Sequence, residues 1–375
     1  FVIYNCTAVG TRRRGGAQPP SGGTGGTSGS ALGSRYTVEQ HTKFLNCLAD
    51  VNITVQYEKD GVITPEGSAG GICSGGYDTD YRNCVCGRGI SSLEIVCIRA
   101  ETAGGIAAWA DPNSKLTITI ESCVNRKPVT GGEYTGGIVG SGSPQTSDCH
   151  NHAVVTGVGR VGGIIGYNSG GAAIKDCTND GDVIMASPDK GGYAGGIVGY
   201  SDSGDITDCS NSANVSITVN NVAACFAGGI AGRFNGSDSH GMHGCKNTGG
   251  VSAFSSPVDG SGEEMAVAGG VCGEVYTSNC SLENPSAAVI NDCSNTGDVG
   301  AHIACTAGDA YAGGILGRAE TAFGTVNENR LVWIHISDCT SSGRVNAVSN
   351  YDHTANKDKL NYIMAYVGAR AYAGG

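Results

Sequence analysis

Large aromatic side chains are scarce in this chain: of 375 residues only 6 are Phe and 2 are Trp. Whatever core it builds has to do without an aromatic centre. No apolar stretch approaches the roughly 20 residues needed to span a bilayer as a helix, and nothing resembles a sustained apolar stripe at the 3.6-residue helical period, so helix should be scarce. Basic residues are also in deficit, 23 Lys and Arg against 34 Asp and Glu, for a net charge of −11. That balance opposes the basic surface by which nucleic-acid binders displace counterions from phosphate. The one basic run, Arg12 to Arg14, is too short to reverse it.

What the chain has instead is glycine, 63 residues of it. There is no G-X-Y period, which excludes collagen; the glycines cluster at fixed places where backbone must turn or approach backbone. Nine phrases end in a Gly-Gly pair, their second glycines being Gly71, Gly105, Gly137, Gly163, Gly196, Gly229, Gly270, Gly314 and Gly375. Successive copies lie 34, 32, 26, 33, 33, 41, 44 and 61 residues apart. A period near thirty marks a solenoid, in which one unit buries its apolar face only when a neighbour stacks on it.

Between these returns the chain spells C-x-N-x-G-x-V, starting at Cys123, Cys149, Cys177, Cys209, Cys245, Cys293 and Cys339. Asn125, Asn151, Asn179, Asn211, Asn247 and Asn295 follow two residues on, with Ser341 in the last copy, and a Val stands six residues on every time. The intervening position is Gly181, Gly249, Gly297 or Gly343, but Lys127, Ala153 and Ala213 show that it does not demand positive φ. Short Ile- and Val-containing runs broken by Asn, Gly and Asp read as strands separated by tight turns. The fold class is therefore all-β, a parallel β-solenoid (β-helix) of about 30-residue repeats with loop insertions.

The expected organisation is a strand-like segment over residues 1–14, a flexible Gly/Ser/Thr/Pro linker over 15–34, an irregular cysteine-rich lead-in or cap over 35–98, and the solenoid over 99–375. Long insertions near 253–267, 274–288, 318–333 and 346–371 should project as loops. A start at Phe1 without Met and an unfinished last repeat, Tyr372 to Gly375, suggest a processed or partial chain.

The alternation of YAGGIVGY (Tyr193 to Tyr200) with DCSNSANV (Asp208 to Val215), and of Tyr311 to Gly317 with Asp292 to Val299, resembles the GLUG-type repeats of bacterial and some protist surface proteins. The resemblance implies right-handed parallel β-solenoids in cell-surface, adhesive or structural roles. It implies an architecture rather than a reaction.

In a parallel stack, equivalent residues lie about 4.8 Å apart and each repeat position becomes a column. The six asparagines should pass amide hydrogen bonds from rung to rung. The seven repeat cysteines read either as a buried thiol column, since 4.8 Å exceeds the usual Cβ separation of a disulfide, or as disulfides. Cys6, Cys47, Cys73, Cys84, Cys86, Cys97, Cys225, Cys272, Cys280 and Cys305 lie outside the repeat position and are candidates for bridges pinning the insertions. Seventeen cysteines, and sequons at Asn5, Asn52, Asn214, Asn235 and Asn279, favour an extracellular or cell-surface location.

Catalytic and metal motifs are thin. Asp148, Asp176, Asp208, Asp292 and Asp338 each precede a repeat Cys, and a residue recurring on every rung reads as structural, bonded to turn N–H groups. Asp202, Asp205 and Asp208 offer oxygen ligands without a calcium-loop pattern. His240, His243 and Cys245 make H-x-x-H-x-C, although the repeat already accounts for Cys245. His150 and His152 flank Asn151 as exposed polar residues. Glu263, Glu264 and Glu274 form the one late acidic cluster that would permit a polysaccharide-active enzyme. No cofactor and no catalytic residue is expected.

The sequence thus points to an extracellular structural glycoprotein that forms or decorates a surface filament, joining neighbours end to end through Phe1, Val2, Ile3 and Tyr4. The alternative is an adhesin whose late loops contact host, matrix, glycan or other surface proteins.

Overall fold

The computed structural model describes residues 42–55, 67–88, 102–112, 117–187, 190–220, 224–236, 240–256, 265–277, 287–304, 309–321 and 333–349. It also describes the shorter segments 2–4, 7–14, 24–25, 57–59, 62–64 and 95–97. Among these residues there is no helix; the chain winds into a parallel β-solenoid.

One coil serves as the template. Ile174–Lys175 leads to a corner at Asp176, followed by Thr178–Asn179, Val183–Ser187, the Gly-Gly strand Gly192–Gly195, a second corner at Gly196 and Ile197, and the return strand Val198–Ser201. Every strand pairs in parallel with its equivalent one coil away. The strands of the Ile174 type form a ten-stranded sheet from Val2–Tyr4 to Trp333–Ser337, the Gly-Gly strands a nine-stranded sheet from Thr24–Gly25 to Asp309–Gly313, and the return strands an eight-stranded sheet from Gly76–Tyr77 to Leu316–Thr321. The Asn and Val strands form two further ladders, which merge where Leu48–Val55 is long enough to pair with both. Only Tyr57–Lys59 and Val62–Thr64 run antiparallel among the described residues.

The core is the set of inward columns. Phe44, Tyr81, Ile120, Thr146, Ile174, Ile206, Met242 and Ile290 stack in one register. Val129, Val155, Val183, Val215, Val251 and Val299 stack in another, all buried. Each fully buried Val or Ile contributes roughly 1.5–3 kcal/mol. The aromatic pair Phe44 and Tyr81, stacked at 5.3 Å, fills this column in the early coils.

The residues before the cysteines have a conformational reason that the sequence reading assigned to hydrogen bonding instead. Asp148, Asp176, Asp208, Asp292 and Asp338 all carry φ of 50–54°, as do Ser122 at 52° and, further up the column, Asn46 at 53° and Asn83 at 52°. Gly244 holds the same place at 63°. Asp, Asn and Gly are the residues that enter the left-handed region at least cost, so the recurrence is set by a corner of fixed shape.

The Asn46 and Asn83 corners also correct the domain boundaries. Residues 42–88, expected to be an irregular lead-in or cap, supply coils continuous with the rest: Thr79–Arg82 pairs with both Thr42–Leu45 and Thr119–Glu121. Val2–Tyr4 and Thr7–Arg14 continue the same ladders, and Thr24–Gly25, within the expected linker, pairs with Ala69–Gly70. The late insertions are also partly strand. Val251–Ser256, Met265–Gly269, Cys272–Thr277 and Ala287–Asn291 are five or six residues long where the equivalent strands Val129–Thr130 and Tyr134–Gly136 have two or three. Residues 257–264, 278–286, 322–332 and 350–375 lie outside the described residues.

Candidate functional site

The two repeated phrases meet at one place inside the coil. At each Gly-Gly corner a Cβ on the first glycine would strike a carbonyl of its own coil; on Gly195 it would lie 1.9 Å from the Val198 oxygen. On the second glycine it would strike the next coil: on Gly196 it would lie 2.1 Å from the Gly229 oxygen and 2.4 Å from Cγ of Asn211. The same contact joins Gly105 to Asn125, Gly137 to Asn151, Gly163 to Asn179, Gly229 to Asn247 and Gly270 to Asn295. Glycine is required there by space rather than by positive φ.

Packed against these glycines, the amides bond along the axis and to their own turn. Nδ2 of each Asn donates to Oδ1 of the next: Asn125 to Asn151 at 2.8 Å, Asn151 to Asn179 at 2.7 Å, and Asn179 to Asn211, Asn211 to Asn247 and Asn247 to Asn295 at 2.8 Å each. The second Nδ2 hydrogen goes to the carbonyl two residues on, as from Asn211 to Ala213 at 2.8 Å. Asn295 ends the ladder on the Ser341 hydroxyl at 3.4 Å. All six asparagines are buried.

The cysteines form a second column beside it. Cys123, Cys149, Cys177, Cys209, Cys245, Cys293 and Cys339 are free thiols, each with its Sγ near the carbonyl two residues back and near a carbonyl of the preceding coil. Cys149, for example, lies 3.3 Å from the Ser147 oxygen and 3.6 Å from the Ile120 oxygen. Its one proton serves one of the two at a time, and the Ser147 oxygen also accepts the Ser122 amide, so the thiol fills the position chiefly as a small, nearly apolar group.

Several cysteines expected to be bridges are otherwise placed. Cys47 and Cys84 extend the thiol column, Cys84 reaching the Phe44 oxygen at 3.5 Å. Cys86, Cys225 and Cys272 are free and buried, and burial pushes the thiols of Cys86 and Cys225 up to about 12. Cys73 is buried as well. Cys6, Cys280 and Cys305, and the side chain of Cys97, lie outside the described residues. With so many buried free thiols, the cysteine count no longer argues for an oxidising compartment.

Where the amide ladder stops, a charge appears. Ala49 and Cys86 occupy the Asn position of the early coils, and Lys127, fully buried, points its Nζ to 3.0 Å from Oδ1 of Asp50.

The outer wall carries its own columns. Tyr134, Arg160, Tyr193 and Phe226 follow one another on the Gly-Gly strands, and Tyr167, Tyr200, Arg233, Glu274 and Arg318 on the return strands. Rings stack at 5.2–5.4 Å, as Tyr134 on Tyr167 and Tyr193 on Phe226. The Arg160 guanidinium lies 4.8 Å from the Tyr167 ring centroid and 2.9 Å from Glu133. The ring faces are thereby spent on each other and on arginine rather than offered to a ligand. Glu274 is fully buried between Arg233 at 3.3 Å and Arg318 at 2.6 Å; burial raises its carboxyl and the two guanidiniums pull it back. A carboxylate held in this way is occupied structurally, and Glu263 and Glu264 lie outside the described residues.

The remaining candidates separate. Asp202 accepts from the Tyr167 hydroxyl, Asp205 from the Gly241 amide at 3.1 Å, and Asp208 sits at a corner, so the three share no site. Cys245 faces inward while His240 lies 3.3 Å from Asp205. His150 and His152, by contrast, come together with Asp180 of the next coil. Of the sequons, Asn214 is exposed, with Oδ1 accepting from the Gly250 amide. Asn235 is half-buried, its Nδ2 bonded to the Tyr200 hydroxyl at 2.8 Å. Asn5 and Asn279, and the side chain of Asn52, lie outside the described residues, as does Phe1. Val2–Tyr4 is paired on one edge with Thr42–Leu45.

Comparison with known proteins finds one motif, matched twice, and no relative. The GLUG motif matches residues 157–184 and 190–216, adjacent stretches that together span one Val-to-Val repeat and the next. No curated protein and no solved structure matches the chain.

Proposed function

From the two GLUG motif matches and the parallel β-solenoid that carries them, we propose that the chain is an extracellular structural protein of the cell surface. Its work is to stack into a filament or appendage. The observation that carries the reading is the amide ladder: from Asn125 to Asn295 every coil bonds to the next through the same group, beside a Val column that repeats in the same register, so the fold lengthens along one axis by repetition. A head-to-tail contact between such units that does not close makes a filament. The exposed sequon at Asn214 suits a glycosylated outer wall. The engagement of the ladder amides, the buried thiols and Glu274 within the fold favours a structural role for them.

Electron microscopy of the purified chain over a concentration series tests this. Rods that lengthen with concentration are expected. Single particles at every concentration with a saturable ligand would replace this reading by the adhesin alternative.

A further inference from the structure

We propose that His150, His152 and Asp180 form a binding site for a borderline divalent transition-metal cation, with Zn2+ as its representative, on the outer wall of the solenoid. His150 and His152 are two residues apart around the inward Asn151, so both leave the coil outward. The register that pairs Asn151 with Asn179 sets Asp180 beside His152 on the next coil. Oδ2 of Asp180 lies 2.7 Å from Nε2 of His150 and 3.3 Å from Nδ1 of His152, and the candidate ligand atoms of the three residues all lie within 4.8 Å of one another. Zinc takes nitrogen and oxygen ligands at about 2.0–2.2 Å, which sets its ligands about 3–3.5 Å from each other, close to the spacing already present.

The backbone beneath these side chains is fixed by the ladder. The amides of His150, His152 and Asp180 donate to the Cys123, Asn125 and Asn151 oxygens at 2.9, 2.9 and 2.8 Å. One coil further on, Ser212 donates to Oδ1 of Asp180 at 2.9 Å, which leaves Oδ2 turned toward the imidazoles. Metal sites use this kind of support to orient a carboxylate ligand. Two imidazoles and one carboxylate suit zinc, copper or nickel better than calcium or magnesium, which take oxygen alone. The three side chains are 31–45% exposed, so water or an outside ligand can complete the shell. Arg126 precedes His152 in the same column and, after His150, adds positive charge beside it, opposing the bound cation.

The test is a Co2+ titration of the full chain after chelator treatment, followed by calorimetry and by visible absorption. One saturating equivalent is expected, with ligand-field bands and no thiolate-to-cobalt charge transfer. His152→Ala and Asp180→Asn should each weaken binding at least about 10-fold, and Ser212→Ala by about 10-fold, as for other outer-shell partners. Arg126→Ala should bind no more weakly than the parent. Because all three ligands face outward, the variants should melt like the parent in chelator. Should His152→Ala melt lower, His150→Gln takes its place in the comparison. No saturation near one equivalent, binding unchanged by these substitutions, or charge-transfer bands placing the metal on the thiols would each overturn the site.

Discussion

The coils from Cys123 to Asn295 and those from Thr42 to Gly87 enclose the same cross-section but fill its glycine-packed corner differently. In the later coils one Asn per turn bonds to the next Asn, so each rung satisfies its neighbour with an identical group. In the earlier coils Ala49 and Cys86 stand at that position, Gly71 packs against the Cys86 sulfur, and the Lys127–Asp50 ion pair sits at the junction. A repeated amide propagates without limit, because donor and acceptor are both renewed at every step. An ion pair terminates, since neither partner leaves a group for the next coil. The backbone corner is indifferent to the choice: φ is 52° at Asn83 and 52° at Asp176.

The largest way to break the comparison is through the glycine both regions share. Gly196→Ala would drive a Cβ to 2.1 Å from a backbone oxygen that cannot rotate away, and more than about 4 kcal/mol should be lost, enough to abolish a cooperative melt. At the end of the ladder, Gly314→Ala meets only the Ser341 and Val345 side chains. It should cost markedly less in the same denaturation experiment, and equal losses would show that the backbone contact is not what selects glycine.

The ion pair comes next. Lys127→Met leaves Asp50 charged and half-enclosed, and about 3 kcal/mol should be lost, at the low end for a broken buried pair because Asp50 keeps 16% of its side-chain surface in water. Adding Asp50→Leu should restore most of it. A double variant as unstable as the single would mean that the charges attract something other than each other.

The amide ladder should respond by position. Asn211→Ala strands Nδ2 of Asn179 and Oδ1 of Asn247, costing about 2–3 kcal/mol by urea denaturation, since each unsatisfied buried group costs about 1–3 kcal/mol. Asn125→Ala, at the first rung, frees no Nδ2 of an earlier rung; it takes a donor from Oδ1 of Asn151 and the acceptor from the Lys127 amide, and should cost less than Asn211→Ala. Equal effects would remove the distinction between a ladder and six independent turns.

These sites differ in how far the sequence discloses them. The Cys, Asn, Val and Gly columns were legible because a parallel stack writes the same residue at the same interval, and the all-β solenoid follows from that periodicity alone. The early coils were obscured because their corners keep the conformation but change the letter: Asn46 and Asn83 enter the left-handed region as readily as Asp, while Ala49 and Cys86 erase the Asn that marked the repeat. An Asn-Cys dipeptide read by its backbone requirement would have found them. Lys127–Asp50 and Arg233–Glu274–Arg318 left no periodic trace, since each occurs once and joins different coils. The His150, His152 and Asp180 cluster lay within reach, because the column rule that aligns Asn151 with Asn179 also aligns His152 with Asp180.

The smallest effect is a proton balance, and it separates the two regions by pH. Burial holds the thiols of Cys86, in the early coils, and Cys225, in the later ones, at about 12, against about 8.5 for an exposed cysteine. Because the folded value is the raised one, each thiol's contribution is complete below about pH 8.5 and is lost progressively as pH rises toward 12. Stability should therefore be level from about pH 7 to 8 and decline above about pH 9. Tyrosines and lysines titrate in the same interval, so the informative quantity is the difference from a variant. Cys86→Ala and Cys225→Ala should each flatten the decline by up to one proton in urea unfolding between pH 8 and 10. If only Cys225→Ala does so, the Cys86 site is wet in solution and the early corner is not closed by its sulfur.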